Sequence, residues 1–133
     1  MRYFVSGHRD LTREEFEEHY APLIKKVIEY DEWPSFIVGD WEGCDTLFVE
    51  HLILEGYLVP FIVTYTDKLR TEKLINRFNK ECILAKSEQL NTYDECDTYM
   101  TKNSDFDIAW IRPGREDSHT AKNIKRRYEG NIS

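Results

Sequence analysis

Short apolar runs alternate with amphipathic segments through the first half of this chain, and this alternation restricts the possible folds more than any other feature. The β-prone runs lie at residues 3–5, 35–38 and 58–64, and glycine follows the first two. Between them, residues 12–28 and 44–55 carry apolar side chains at helical spacing. A strand, helix, strand, helix, strand order with short turns is typical of right-handed βαβ units. The sequence therefore predicts an α/β protein with a mainly parallel sheet between two layers of helices.

Local signals predict where the first helices begin and end. Residues 12–15 read T-x-x-E, the pattern of a capping box, and so mark the start of the first helix. Pro22 lies inside the apolar pattern that follows, and because it removes a backbone donor we expect it to kink or split that helix. The second helix is expected from Cys44 to about Glu55, with Gly56 as its stop.

The pattern is weaker after residue 66. Apolar residues at 74–83 indicate one helix, and Tyr93, Cys96 and Met100 indicate another, although polar residues surround both sets. A fourth strand is expected at 108–111, followed by a loop and a last helix. No internal repeat or low-complexity linker interrupts the chain, so we expect residues 1–133 to form a single domain.

Charge and composition exclude several classes of partner. The formal net charge of −7 argues against a general nucleic-acid coat and against binding to an anionic membrane surface. No apolar run reaches the roughly 20 residues of a membrane span, and the N-terminus lacks the apolar run of a secretory signal. The three cysteines form no CxxC pair, and an odd number suits a reducing compartment. We therefore expect a soluble cytoplasmic protein with free thiols and no membrane partner.

The loops after strands one, two and four are the expected ligand site, because open parallel sheets bind ligands outside the carboxyl ends of their strands. Glycine in such loops lets the backbone approach a ligand closely and adopt positive φ. The glycines in these loops are Gly7, Gly39, Gly43 and Gly114. Any one of them is equally well explained by a simple turn, but their occurrence at three strand ends favours a ligand site.

Positive charge and hydroxyl groups in the same loops favour an anionic ligand. Arg9, Arg112 and Arg115 could clamp a phosphate, because guanidinium binds phosphate oxygens bidentately. The segment Ser118-His119-Thr120 precedes the last helix and offers hydroxyls and backbone donors for the same purpose. Helix one begins with glutamates, which would repel a phosphate. Each arginine taken alone is better explained as an ordinary surface residue.

Two residues of the second loop have alternative interpretations. Asp45 stands at the expected start of the second helix, where it could accept hydrogen bonds from ribose hydroxyls or cap the helix. Trp41 could stack on a base, and its alternative is a half-buried packing residue. Both alternatives are open from the sequence alone.

The sequence predicts no metal and no cofactor. A metal would need His8 and His119 together with Asp40 or Asp45, and no HExxH, HxxxH or clustered Cys/His spacing supports such a set. Nucleophiles are candidates by location only, because no GxSxG elbow is present. Those candidates are Ser6, Ser118 and Cys44.

The three strand-end loops resemble the SLOG superfamily, a Rossmann-like group that includes YspA-like proteins, LOG-type nucleotide phosphoribohydrolases and DprA. The group is structurally close to nucleoside deoxyribosyltransferases. The resemblance is carried by residues 4–12, 37–45 and 107–121 and is weakest between 67 and 104. Gly39, Gly43 and Asp45 occupy the places of a G-x-x-x-G-A-D motif. Residues 118–121 resemble an S-G-T-A turn, with His119 in place of the glycine.

The resemblance implies a Rossmann-like three-layer sandwich that binds a nucleotide or another ribosyl-containing small molecule. It also implies self-association, because oligomers are common in the group. The candidate ligand-binding residues are Ser6, Gly7, His8, Arg9, Gly39, Asp40, Gly43, Asp45, Arg112, Gly114, Arg115, Ser118, His119 and Thr120.

Two other functions follow from the same resemblance. The first is an enzyme that cuts or transfers at a nucleoside N-glycosidic bond, with a loop carboxylate as nucleophile or acid. The candidate carboxylates are Asp40, Glu42, Glu116 and Asp117. The glutamate of the LOG-type motif falls on Asn123, which cannot act as a general base, so phosphoribohydrolase activity is not expected. The second is single-stranded nucleic acid binding through the basic last helix, as in DprA, although the net acidity opposes it.

Overall fold

Five parallel strands form one sheet in this computed structural model, which describes residues 1–66 and 85–132. The strands are Arg2–Ser6 (β1), Ser35–Val38 (β2), Phe61–Tyr65 (β3), Ala85–Gln89 (β4) and Phe106–Ala109 (β5). Their order across the sheet is β4-β3-β2-β1-β5, and every neighbouring pair is parallel. The predicted α/β class with a parallel sheet is confirmed.

Helices pack on both faces of this sheet. They are Arg13–His19 (α1), Ala21–Tyr30 (α2), Cys44–Leu54 (α3), Tyr93–Lys102 (α4) and His119–Ile132 (α5). Successive strand residues face opposite sides: Val5 packs in the larger core with residues of α1, α2 and α3, whereas Phe4 packs with Cys96 and Met100 of α4. The molecule therefore has three layers, as the sequence predicted.

The start of α1 and its separation from α2 follow the predicted signals. The Glu15 N–H donates to the Thr12 hydroxyl at 3.1 Å, and the Thr12 N–H donates to the Glu15 carboxylate at 3.0 Å. Pro22 lies in the first turn of α2, where a missing N–H costs no helical hydrogen bond. The single apolar pattern at 12–28 is thus two helices that meet at Tyr20.

The structure departs from the predicted strands at β3, β4 and β5. β3 begins at Phe61 rather than at 58, because Pro60 has no N–H to donate to a neighbouring strand. β5 ends at Ala109 rather than at 111, because the N–H groups of Trp110 and Arg112 donate to side chains instead. β4 was not predicted, since its sequence AKSEQ lacks apolar alternation. The helix expected at 74–83 lies outside the described residues.

The direction of strand addition reverses between β1 and β5. β2, β3 and β4 extend the sheet on one side of β1, and β5 lies on the other side. Such a switch point leaves a crevice at the carboxyl ends of the strands. Among the described residues, no helix has the length and apolar character needed to cross a bilayer.

Candidate ligand-binding site

A cavity of about 400 Å³ opens at the carboxyl ends of the central strands. From the loop after β1 it is lined by Ser6, Gly7, His8 and Arg9. From the end of β2 and the start of α3 it is lined by Gly39, Asp40 and Asp45. From the segment before and within the start of α5 it is lined by Arg115, Ser118, His119 and Thr120. Three loops that are far apart in sequence therefore meet at one place.

Arg112 does not line this cavity, in contrast to its predicted place in a phosphate clamp. Its guanidinium donates to both carboxylate oxygens of Glu15, at 2.7 and 2.9 Å, and to both of Asp10, at 3.1 Å. These bonds raise the pKa of Arg112 and lower the pKa of Glu15 to about 2. Arg112 thus joins the β5 loop to the start of α1.

Several other predicted residues also lie outside the cavity lining. Those residues are Gly43, Gly114 and the catalytic candidates Glu42, Glu116 and Asp117. Glu116 accepts a hydrogen bond from the Gly114 N–H at 3.1 Å, which closes a local turn. Of the candidate carboxylates for catalysis, Asp40 alone borders the cavity, and it is 5% exposed.

Two glycines allow the loops to pack against one another. A Cβ on Gly7 would lie 2.5 Å from the Tyr20 hydroxyl and 2.6 Å from the Cys44 sulfur. Gly43 has φ +77°, and a Cβ there would collide with the Arg9 carbonyl. These two positions require glycine so that the β1 loop can pack against the start of α3, and Gly7 also lines the cavity.

His8 connects the first and last loops. It is 3% exposed, and its Nε2 accepts the Arg112 N–H at 2.9 Å. Burial lowers the pKa of His8, and the positive charges of Arg115 and Arg112 lower it further. The lowered pKa favours the neutral imidazole, the form in which Nε2 can accept this hydrogen bond.

Carboxyl groups are concentrated in the cavity wall. Burial raises the pKa of Asp45 to about 7, and the charges of Asp40 and Asp97 also raise it. The Asp45 Oδ2 accepts the Trp41 N–H at 3.0 Å. The N-cap of α3 is Gly43 and not Asp45, so the alternative interpretation of Asp45 as a helix cap is wrong. Burial also raises the pKa of Asp97.

Aromatic rings and a cation form the mouth of the cavity. The Arg9 guanidinium carbon lies 3.7 Å from the centre of the Trp41 ring and 5.9 Å from that of Tyr93. The two rings are 5.1 Å apart. One face of the Trp41 ring is thus already in contact with a planar cation, the Arg9 guanidinium.

The start of α5 differs from the starts of α1, α3 and α4, because its first turn has no acidic residue. The Ser118 hydroxyl accepts the Ala121 N–H at 3.3 Å. Thr120 and Asn123 line the cavity and are 3% and 4% exposed. This end of the cavity therefore combines backbone donors with hydroxyl and amide groups.

Sequence reasoning missed the contribution of α4, which supplies Tyr93 and Asp97 to the cavity. The polar segment before α4 concealed its start. One signal was present: Thr92-x-x-Glu95 is a capping pattern, and the Thr92 hydroxyl accepts the Glu95 N–H at 3.1 Å.

Three basic residues of α5 have acidic or polar partners. The Arg127 guanidinium pairs with Asp107 at 2.8 Å, with side chains only 15% and 12% exposed. Arg126 donates to Asn123 at 2.7 Å, and Lys125 lies 3.9 Å from Glu129. Ion pairs at these positions reduce the positive charge available for a nucleic acid backbone.

Fold and cavity together define a parallel α/β protein with a polar cavity at its strand ends. No protein-family model, no curated protein and no solved structure matches the chain.

Proposed function

We propose that this protein binds a nucleotide or another ribosyl-containing small molecule in the strand-end cavity. The observation that carries the proposal is the meeting of the loops after β1, β2 and β5 around one cavity of about 400 Å³. Small-molecule sites have volumes of roughly 300–1,000 Å³ and lie at the switch points of α/β sheets. A nucleoside monophosphate is of a size that suits this volume.

Ribose is proposed to bind beside Asp40 and Asp45. Carboxylate oxygens accept hydrogen bonds from sugar hydroxyls, and both side chains border the cavity. A pKa of about 7 leaves Asp45 partly protonated near neutral pH, so that it can also donate. This wall repels an anion, which directs a phosphate to the other end of the cavity.

A single phosphate is proposed to bind between Arg115 and the start of α5. The first turn of α5 has no carboxylate to oppose the helix dipole. The Arg115 side chain is 45% exposed, and its Nη1 lies 3.8 Å from the Asp10 Oδ2. This distance is longer than those in the ion pairs of Arg112. The Arg115 guanidinium can therefore turn toward a ligand at small cost.

The planar base is proposed to stack near Trp41. The Arg9 guanidinium on the Trp41 ring shows that a flat group fits against this face. Stacking on an aromatic ring tolerates any base, so selectivity must come from the polar wall.

A calorimetric titration with adenosine, adenosine 5′-monophosphate and ribose 5-phosphate tests the proposal. We expect Arg115→Ala to weaken binding of the monophosphate by about 10–100-fold, the value of a charge-assisted hydrogen bond. Asp45→Asn should weaken binding of all three compounds by roughly 3–10-fold, as expected for one hydrogen bond.

Two variants that do not border the cavity are matched controls. Lys122→Ala removes an exposed cation near the same helix start, and Glu42→Gln removes a carboxylate from the same loop as Asp45. Both should bind like the wild type. Absence of binding by all three compounds, or equal losses in controls and cavity variants, would refute the proposal.

A nucleoside N-glycosidic reaction is the second candidate, and one observation favours it. Burial raises the pKa of Asp45 to about 7, which makes this carboxyl a candidate proton donor near neutral pH, and Asp40 lines the same cavity. Chromatography of the same incubations tests for released free base. Release of free base by the wild type but not by Asp40→Asn would indicate catalysis. Binding of the compounds without release of free base would support binding as the function.

A further inference from the structure

Two helix starts bring an imidazole and two carboxylates together at the rim of the cavity. Asp94 and Asp97 lie about one turn apart at the start of α4, and His119 is the first residue of α5. One donor atom from each of the three side chains lies within 4.8 Å of the others. The His119 Nδ1 is 4.0 Å from the Asp97 Oδ2. Donors bonded to one metal at roughly 2.0–2.2 Å lie about 3–4 Å apart, so small side-chain rotations complete the set.

Asp97 is the most buried of these three ligands. Its side chain is 18% exposed, and within 1–66 and 85–132 no group donates a hydrogen bond to its carboxylate. The opposite charges that face it are those of Arg126, His119 and Arg9, and the like charge is that of Asp94. A largely buried carboxylate without a hydrogen-bond donor is unfavourable, and a cation from solution would satisfy it.

The open side of the set faces the cavity, which Asp97 and His119 both line. Thr120, the next residue after His119, is 3% exposed and lines the same cavity. Three protein ligands leave coordination positions for water or for oxygens of a bound molecule.

We propose that Asp94, Asp97 and His119 bind a first-row divalent cation such as Zn²⁺ or Mn²⁺. One imidazole with two carboxylates suits these cations, whereas Mg²⁺ and Ca²⁺ prefer oxygen ligands alone. Spacing motifs do not reveal this set, because its members come from two helices that are separate in sequence. The site goes beyond the proposed nucleotide function and does not require it.

Metal titration of the full chain after treatment with EDTA tests this site. Mn²⁺ is followed by electron paramagnetic resonance and Zn²⁺ by calorimetry, and we expect one bound ion per chain. His119→Gln and Asp94→Asn should each weaken binding about tenfold or more, since even outer-shell changes have effects of 10–100-fold. Both side chains are exposed, so these variants should fold normally. Asp117→Asn, which removes an exposed carboxylate two residues before His119, is the control and should bind like the wild type.

Binding of Mn²⁺ and Zn²⁺ with wild-type affinity in both variants would overturn the proposal, as would the absence of an ion bound at one per chain. Retention of either cation at wild-type affinity in both variants would likewise overturn it. Nucleotide titrations of the metal-free chain test the proposed function separately, so failure of one proposal is distinguishable from failure of the other.

Discussion

At the scale of single residues, buried polar side chains hold together the loops that form the cavity. Tyr20 is completely buried, and its hydroxyl donates to the Ser6 carbonyl at 2.7 Å and accepts the Trp110 N–H at 3.0 Å. The His8 Nε2 accepts the N–H of Arg112, two residues after Trp110 in the same loop. These side chains replace strand pairing where β1 and β5 end, so they position the loops that border the cavity.

Replacing Tyr20 by phenylalanine removes this connection together with the hydrogen bond between the Tyr20 hydroxyl and the Cys44 thiol. The Trp110 N–H and the Ser6 carbonyl would lose their partner, which costs about 1–3 kcal/mol when such groups are buried. We expect that decrease in the free energy of unfolding by urea denaturation. Tyr30→Phe, at an 83% exposed position, is the control and should leave stability unchanged. An equal effect of the two substitutions would contradict this role.

The pairing of Arg112 with Glu15 predicts a pH dependence. The pKa of Glu15 falls from 4.5 to about 2 on folding, chiefly through its hydrogen bond with Arg112. A lowered folded-state pKa contributes stability above pH 4.5 that is lost as pH falls toward 2. Urea denaturation of wild type and Arg112→Ala should therefore differ above pH 4.5 and converge in acid. A constant difference across this range would exclude the ion pair as the cause.

At the scale of elements, capping signals were more informative than hydrophobic pattern. The box at Thr12 and the proline of α2 predicted the α1 and α2 boundaries, because both act through local backbone hydrogen bonds. β4 escaped detection because its sequence, AKSEQ, is polar, and pairing with β3 overrides its local preference. The ends of β3 and β5 depended on Pro60 and on tertiary hydrogen bonds, and the latter are not visible in a local window.

Gly43 is expected to be the least replaceable glycine of the cavity loops. Its φ of +77° and the collision of a Cβ with the Arg9 carbonyl predict a loss of roughly 2 kcal/mol or more in Gly43→Ala. Gly114 has φ +89° with nothing within 4 Å of an added Cβ, so Gly114→Ala should cost only about 1 kcal/mol. Thermal denaturation of both variants compares them. Equal losses would mean that the contact with Arg9 contributes nothing.

At the scale of the whole molecule, the sequence predicted the position of the strand-end cavity better than the residues that line it. The rule for parallel sheets placed three loops at one edge, and His8, Asp45 and Ser118 do meet there. Arg112 was misassigned because its competing partners, Asp10 and Glu15, are about a hundred residues away in sequence. Self-association, implied by the resemblance, stays a prediction that sedimentation velocity can test.

The pairing of β5 with β1 has a consequence for synthesis of the chain. Of the described strands, β1 leaves the ribosome first, yet one of its two neighbours in the sheet, Phe106–Ala109, is made last. Domains generally fold as units once enough chain has emerged, and contacts that span such a distance form slowly. Nascent chains stalled before residue 106 should therefore lack a complete strand-end cavity, however well the four strands before that residue have assembled.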